Sequence, residues 1–326
     1  MAADFHAMID NWHAVQPPFD DDLNALILRQ QVDMFEKPTD FSFMKVPYFS
    51  PSSVGGCPRE NYMRLKKAKK DVQDDLPFRG RWRRMGEKFG EMLQTDLLFI
   101  EKHYEKKLGE PPAFVPERTD EGYPAWEDFV GKLAKIEHNG TDVYLNGKPD
   151  GILRHVPTDQ RVGLEIKTKQ STAAMTGHYK MSGPDDKHVQ QCTVYALMYD
   201  LSQFLLVYGN LSKKSFMMTQ EDYEANPDLR VFHIEITDEM KTELLDELAD
   251  IVRKVESGTP PALSLEGWLF NNFKTACAES LTADELEEIR SKVAKVRKSG
   301  IPEWKKRNYT DALADIERLR GEEEAE

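Results

Sequence analysis

Cysteine is scarce in this chain, and long apolar runs are absent. Cys57, Cys192 and Cys277 are the three cysteines in 326 residues. They are odd in number and far apart, so a disulfide framework is not expected. The default expectation is then a cytoplasmic, intracellular setting, or the host cytoplasm for a viral protein. No zinc-type cysteine pattern and no phosphate-cradling Walker loop is present. The chain is therefore not an evident helicase or ATPase, and any motor would be a partner. No apolar stretch approaches the ~18 residues that cross a bilayer. The opening residues, MAADFHAMIDNWHAVQ, lack the basic and apolar regions of a secretory signal. There is no tandem repeat.

Positive charge is also short. The net charge of −13 argues against a general nucleic-acid coat, because phosphate binding needs basic surface. The deficit is uneven. Arg59 to Lys88 holds eleven Lys or Arg against five acids, a local +6 that leaves about −19 elsewhere. A basic strip on an acidic chain suits a groove that steers a polyanion. A solvated helix surface is the plainer reading, and both stay open. Within the strip, Arg59 and Arg64 are candidates for phosphate contacts, since a guanidinium fork matches phosphate oxygens. Arg81 and Arg84, in the basic run from 79 to 84, join them. Surface solvation or an internal ion pair is the alternative for each.

What is present reads as soluble and globular, with 40% hydrophobic and 31% charged residues. The length suits one large domain or two smaller ones. The informative stretch is Val143 to Lys169, VYLNGKPDGILRHVPTDQRVGLEIKTK. It reads as two strands joined by a turn, the first ending in Pro149-Asp150-Gly151 and the second running from Val162 to Thr168. Strand alternation puts Glu165 and Lys167 on one face and Ile166 on the other. If the strands pair, Asp150 sits beside Glu165. Two hard oxygen ligands suit Mg²⁺ or Mn²⁺, and a neighbouring lysine can steady a water nucleophile or a phosphate. An ordinary Glu–Lys ion pair is the alternative.

Elsewhere, Leu23 to Phe35 is expected to be a helix in a peripheral N-terminal arm. Met85, Phe89, Met92, Leu93, Leu97 and Ile100 recur at helical steps and predict a helix over roughly Arg81 to Lys106. A first sheet strand is expected around Lys132 to Glu137, with a hairpin turn at His138-Asn139-Gly140. His138, His155 and His178 read as ordinary surface histidines. Lys187 to Asp200 is expected to be a helix that carries Gln191 and Tyr195 on one face. Gln203 to Gly209 reads as a central strand, Arg230 to Ile236 as a further strand, and Asp238 to Glu256 as a helix. Beyond Gly258 to Pro261 the chain is charged, with helices at Thr282 to Arg297 and Tyr309 to Arg320. Trp268, Leu269 and Phe270 are expected to anchor that part, and the acidic 322–326 end to fray.

Gly147-x-x-Asp150-Gly151, then Glu165-x-Lys167, then a helix bearing Gln191-x-x-x-Tyr195, resembles the RecB-type branch of the PD-(D/E)XK nuclease superfamily. The likeness covers roughly Tyr48 to Thr237. It implies an α/β fold: a restriction-endonuclease-like core in αβββαβ order, a mixed central sheet flanked by helices, with added N- and C-terminal helical segments. The corresponding divisions are 1–47, 48–257 and 258–326. It implies a metal-dependent DNA nuclease, an exonuclease of DNA replication, recombination or repair. Mg²⁺ or Mn²⁺ would be its cofactor and DNA its partner, beside a helicase, recombinase or annealing protein.

The resemblance further implies that Asp150, Glu165 and the backbone carbonyl of Ile166 hold the metal. Lys167 would position the water, and Gln191 and Tyr195 would orient the scissile strand or the lysine. Where the family places a third ligand, four residues after a glycine, this chain has Gly90. Glu91 follows directly and takes that role here, with Glu87 in reserve. Cys57-Pro58-Arg59 is similar to the first motif of the RecB-like exonucleases, some of which bind an iron–sulfur cluster through that cysteine. Such a cluster needs four thiolates, so none is expected and Cys57 reads as a packing residue. Two rival expectations remain. One is a non-catalytic DNA-binding or assembly protein on a degenerate nuclease scaffold, and the other is an acidic mimic of DNA.

Overall fold

Prolines and turn residues set several of the element boundaries. The structure, a computed structural model, describes residues 1–36, 46–72 and 76–321. Its helices and strands begin with α1 (Ala2–His13), α2 (Asp21–Glu36), α3 (Pro58–Leu65), α4 (Pro77–Leu108), β1 (Phe114–Pro116), β2 (Lys132–His138) and β3 (Thr141–Gly147). They continue with β4 (Gly151–His155), β5 (Gln160–Lys169), α5 (Asp186–Tyr199), β6 (Gln203–Asn210), α6 (Gln220–Ala225) and β7 (Leu229–Glu235). Last come α7 (Asp238–Ser257), α8 (Lys274–Glu279), α9 (Ala283–Lys298) and α10 (Glu303–Arg320). Helices α3 and α4 each open on a proline, whose missing N–H would have had no helical acceptor. Asn139 and Gly140, both at positive φ, make the tight β2–β3 turn. Thr282 and Glu285 cap α9 reciprocally.

The chain divides into two compact units, each assembled from separate stretches of sequence. The first comprises Met1–Met44, Asp75–Ala134 and Leu145–Thr242; the second comprises Lys45–Asp74, Lys135–Tyr144 and Glu243–Glu326.

The first unit is α/β, with a mixed five-stranded sheet in the order β1-β4-β5-β6-β7. Only the β5–β6 pair is parallel. Alternation sends Val162 and Leu164 of β5, and Leu205 and Val207 of β6, to one face, where they pack with Leu93, Leu97 and Ile100 of α4 and Phe5, Ile9 and Trp12 of α1. The opposite face carries Glu165 and receives Gln191 of α5. There Gly163 lets the Phe204 ring lie where a Cβ would be 2.1 Å from it.

Four expectations are corrected. Helix α1 is part of the core, not of a peripheral arm, with Phe5 and Ile9 wholly buried. The segment Lys132 to Glu137 does not enter the central sheet; β2 and β3 form a sheet of their own. The strand expected to run into Pro149-Asp150-Gly151 stops at Gly147, and β4 starts afresh at Gly151. Pro149 has no N–H for a ladder. The carbonyls at the break are satisfied instead by tyrosine hydroxyls, with Tyr199 donating to Gly147 and Tyr195 to Lys148. His155 is also internal, 4% exposed and tilted against the Phe114 ring with centroids 4.7 Å apart.

In the second unit, α8 packs on α3 and α10, and α10 on α9. Cys277, Leu286, Val293 and Ile316 are buried in it. Trp268 is buried and its indole donates to Asp315, but Leu269 and Phe270 are exposed. A 3₁₀ turn has three residues per turn, so consecutive side chains cannot share one side. No helix among the described residues is long and apolar enough to cross a membrane. The 322–326 end, the acids Asp74 and Asp75 of the basic strip, and 37–45 of the N-terminal segment lie outside the described residues.

Truncating Trp12 tests the core position of α1. Trp12→Ala should destabilise the protein by about 3–5 kcal/mol in chemical denaturation, the range for a large buried aromatic. A surface arm would lose only a few tenths.

Candidate metal centre

The centre is built by register and alternation. Gly151 of β4 pairs with Leu164 of β5, so the preceding residue, Asp150, falls beside Glu165. Asp150 Oδ2 accepts the Ile166 N–H at 2.5 Å, which ties the carboxylate to β5 across the gap that Pro149 leaves. Glu165 is 2% exposed. Its Oε1 receives the Lys167 ammonium at 2.5 Å and the Gln191 amide at 2.7 Å. Lys167 Nζ also donates to Gln191 Oε1 at 3.0 Å, so Glu165, Lys167 and Gln191 close a three-membered ring of contacts. Tyr195, one turn along α5, reaches back to the Lys148 carbonyl at 2.7 Å and holds the segment that precedes Asp150.

Charge is under stress here. Burial, then the Asp150 charge, pushes Glu165 up to about 8. Burial also raises Asp150, against the Ile166 N–H and the Lys167 charge. For Lys167 burial opposes the ammonium, but Glu165 and Asp150 outweigh it and hold the group above its ordinary value. His188 is pushed down to about 4 by burial and then by the Lys167 charge.

Glu91 and Glu87 lie outside this ring of contacts. Glu91 is exposed and pairs with Lys88 at 2.5 Å, and Glu87 is exposed as well. From α4 it is Gln94, not Glu91, that points inward. Its Nε2 donates to the Asp150 carbonyl at 2.8 Å and to Glu127 Oε2 at 2.6 Å. Glu127, half-buried in a turn, is pushed up to about 8 by burial and then by Asp150. Sequence reasoning passed over it because no motif or helical period marks the residues just before Lys132. The available signal was Trp126-Glu127-Asp128, two acids among aromatic residues.

The arginines fall in different places. Arg59 cannot reach a phosphate: it is wholly buried in the second unit. Its guanidinium donates to the Pro261 carbonyl, Ser280 and Glu285. Five of the eight residues of this helix are buried, on several of its sides, and Arg59 is one of them; the internal ion pair is the correct alternative. Arg64, in the same helix, is one-third exposed, near Glu60 and over the Phe273 ring. Arg81 and Arg84 are exposed on the first turns of α4. Cys57 is buried, and its sulfur accepts the Ser264 N–H.

Glu165 Oε2 decides whether these residues suit a divalent ion. It is a buried carboxylate oxygen with no hydrogen-bond partner. An unsatisfied, buried, acceptor-only atom is costly, and a hard cation is one partner that would satisfy it. Among the described residues no three Asp, Glu, His or Cys side chains form a ready-made cluster. Mg²⁺ does not need one, since it keeps several waters and takes one or two carboxylates. Asp150 and Glu165, with the Ile166 carbonyl next along β5, fit that demand.

No family model matches the chain. No curated protein matches it either. Among solved structures it is similar to a protein titled SSO0001, with 14% identity and a TM-score of 0.41, over 81% of this chain and 100% of that one. It is also similar to LHK-Exo, an alkaline exonuclease from Laribacter hongkongensis, with 12% identity and a TM-score of 0.39, over 66% of this chain and 90% of that one. The same exonuclease in complex with dAMP gives 11% identity and a TM-score of 0.35, over 65% and 90%.

Two outcomes follow from these environments. Arg59→Ala should cost roughly 1–3 kcal/mol of stability in chemical denaturation, because it leaves the buried Pro261 carbonyl without its donor and Glu285 without its cation. At the centre, a carboxyl whose folded pKa lies above its unfolded value stabilises the fold at low pH and loses that contribution as pH rises. In EDTA, wild-type stability should therefore fall between the ordinary 4.5 and about 8 relative to Glu165→Gln. Thermal melts of both proteins across that range check the sign; parallel curves would contradict it.

Proposed function

We propose that this chain is a metal-dependent deoxyribonuclease that hydrolyses phosphodiester bonds, working as an exonuclease. The observation that carries the reading is the unpartnered, buried Glu165 Oε2, beside Asp150 and across from the Lys167 ammonium. Such an oxygen is explained by an ion that belongs there, and a cation flanked by a lysine suits phosphate chemistry. The exonuclease assignment draws on the likeness of the Gly147 to Tyr195 motifs to RecB-type PD-(D/E)XK nucleases.

Asp150, Glu165 and the Ile166 carbonyl would hold the ion, with Glu127 the nearby third carboxylate in place of Glu91. Bound Mg²⁺ or Mn²⁺ supplies a water of lowered pKa and offsets charge on the phosphate. Lys167, kept charged by Glu165, orients that water and stabilises negative charge as it develops. Gln191 fixes the carboxylate and the ammonium relative to each other through one amide. Tyr195 positions the Lys148–Asp150 segment through its hydroxyl. In this reading the protein acts on DNA in replication, recombination or repair in the cytoplasm, beside a helicase, recombinase or annealing protein.

A non-catalytic DNA-binding protein on the same scaffold is the second reading. It is favoured by Gly90 at the family's ligand position and by the closure of Lys167 onto Glu165. Digestion of linear DNA in Mn²⁺ separates the two. Asp150→Ala and Lys167→Ala should each lower cleavage at least about a hundredfold at a temperature where circular dichroism shows the variant still folded. Glu127→Gln should reduce cleavage, and Glu91→Gln should leave it unchanged. Full activity in Asp150→Ala would rule out the mechanism, and wild-type protein that binds DNA but leaves it intact would favour the second reading.

A further inference from the structure

The apolar seam of α4 runs past its core. Phe89 packs so closely on β6 that a Cβ on Gly209 would lie 2.2 Å from its ring. One step back along the same face come Met85, Trp82 and Phe78, at helical spacing. Yet these three are 50%, 47% and 45% exposed. The Phe78 and Trp82 rings meet edge to face at 6.2 Å, and Arg79 lies over Phe78. The ten residues from Pro77 to Gly86, PFRGRWRRMG, contain four arginines and no acid, in a chain of net charge −13. Arg81 and Arg84 are exposed on the same turns of α4.

The same helical turns are fastened to the strand that bears Glu165 and Lys167. Gln170 Nε2 donates to the Trp82 carbonyl at 2.9 Å. A Cβ on Gly86 would be 3.0 Å from Thr168 Oγ1. Gln170 follows Lys167 by three residues, about 10 Å of extended chain.

We propose that Phe78 and Trp82, with Arg81 and Arg84, form a stacking platform for single-stranded DNA. This rests on the nuclease reading for its relation to the centre: an unpaired strand end lying on the platform is within a few nucleotides of Asp150 and Glu165. Flat, half-exposed rings among guanidinium groups match unpaired bases on a phosphate backbone, in both shape and charge. Duplex DNA offers no free base faces along its length, so the rings discriminate by strandedness and the arginines do not. A basic helix with aromatic residues also suits an anionic membrane surface. Attachment to the β5 strand favours the nucleic acid.

The test uses the full chain in EDTA, so that no strand is cut, with fluorescein-labelled dT20, a blunt 20-base-pair duplex, and vesicles of phosphatidylcholine and phosphatidylserine. Trp82→Ala should weaken dT20 binding by roughly 5- to 150-fold and leave duplex binding within about twofold, while Trp82→Phe and wild type bind alike. Arg81→Ala combined with Arg84→Ala should weaken both DNAs and flatten the salt dependence for dT20 by about 0.7 for each phosphate no longer neutralised. Equal dT20 affinity in Trp82→Ala and wild type would overturn the platform, as would equal weakening for dT20 and duplex, or a change in vesicle binding alone. Phe78→Ala provides the same readout if Trp82→Ala misfolds. Cleavage in Mn²⁺ is scored separately. Wild type that cuts DNA while Trp82→Ala binds normally removes the platform and spares the nuclease. Trp82-dependent binding without cutting does the reverse.

Discussion

A glutamate is buried on a sheet face with one of its oxygens unsatisfied, and the local structure is arranged around that constraint. Removing Glu165 from water disfavours its charge, and a second carboxylate beside it disfavours the charge further. Lys167 and Gln191 answer on one oxygen only. An apolar residue at this position would relieve the stress at once. Its presence is therefore a local rule broken in an otherwise consistent core, which is where function is to be sought.

The fold holds this arrangement through backbone geometry more than through side-chain contacts. The antiparallel pairing of β4 with β5 sets Asp150 beside Glu165, and parallel β6 keeps β5 central and covered. Pro149 interrupts the ladder at the point where the Asp150 side chain must turn to receive the Ile166 N–H. Tyr195 and Tyr199 then satisfy the carbonyls that the interruption frees. Helix α5 thus serves both sides of the centre, with Gln191 on the carboxylate and its tyrosines on the approach to Asp150.

Much of this could be read from the chain. Alternation in Val162 to Thr168 separates Glu165 and Lys167 from Ile166, and no fold with that strand can do otherwise. Helical periodicity found α4, α5 and α7 to within a few residues. Several of the misreadings share one cause, since they concern which face of an element is covered and by what. Glu91 and Gln94 are three residues apart on α4, and periodicity alone cannot say which meets the sheet. Arg59 carried the signature of a phosphate contact but lies inside an ion pair with Glu285, more than two hundred residues away. Helix α1 contains buried Phe5, Ile9 and Trp12, yet its 12 residues follow no turn or cap signal that marks a core element.

Local chemistry by itself determined the strand-borne Glu-x-Lys pair, the Asn-Gly turn, the proline break before Asp150 and the concentration of arginine near the start of α4. Each depends on residues within a few positions of one another, where backbone sterics and side-chain alternation act directly. Only the tertiary structure decided that Glu127 joins Asp150 through Gln94, that Arg59 is internal, and that the aromatic seam of α4 outruns its core. Those outcomes are set by long-range packing, in which burial depends on partners far away in the chain and no local pattern records them.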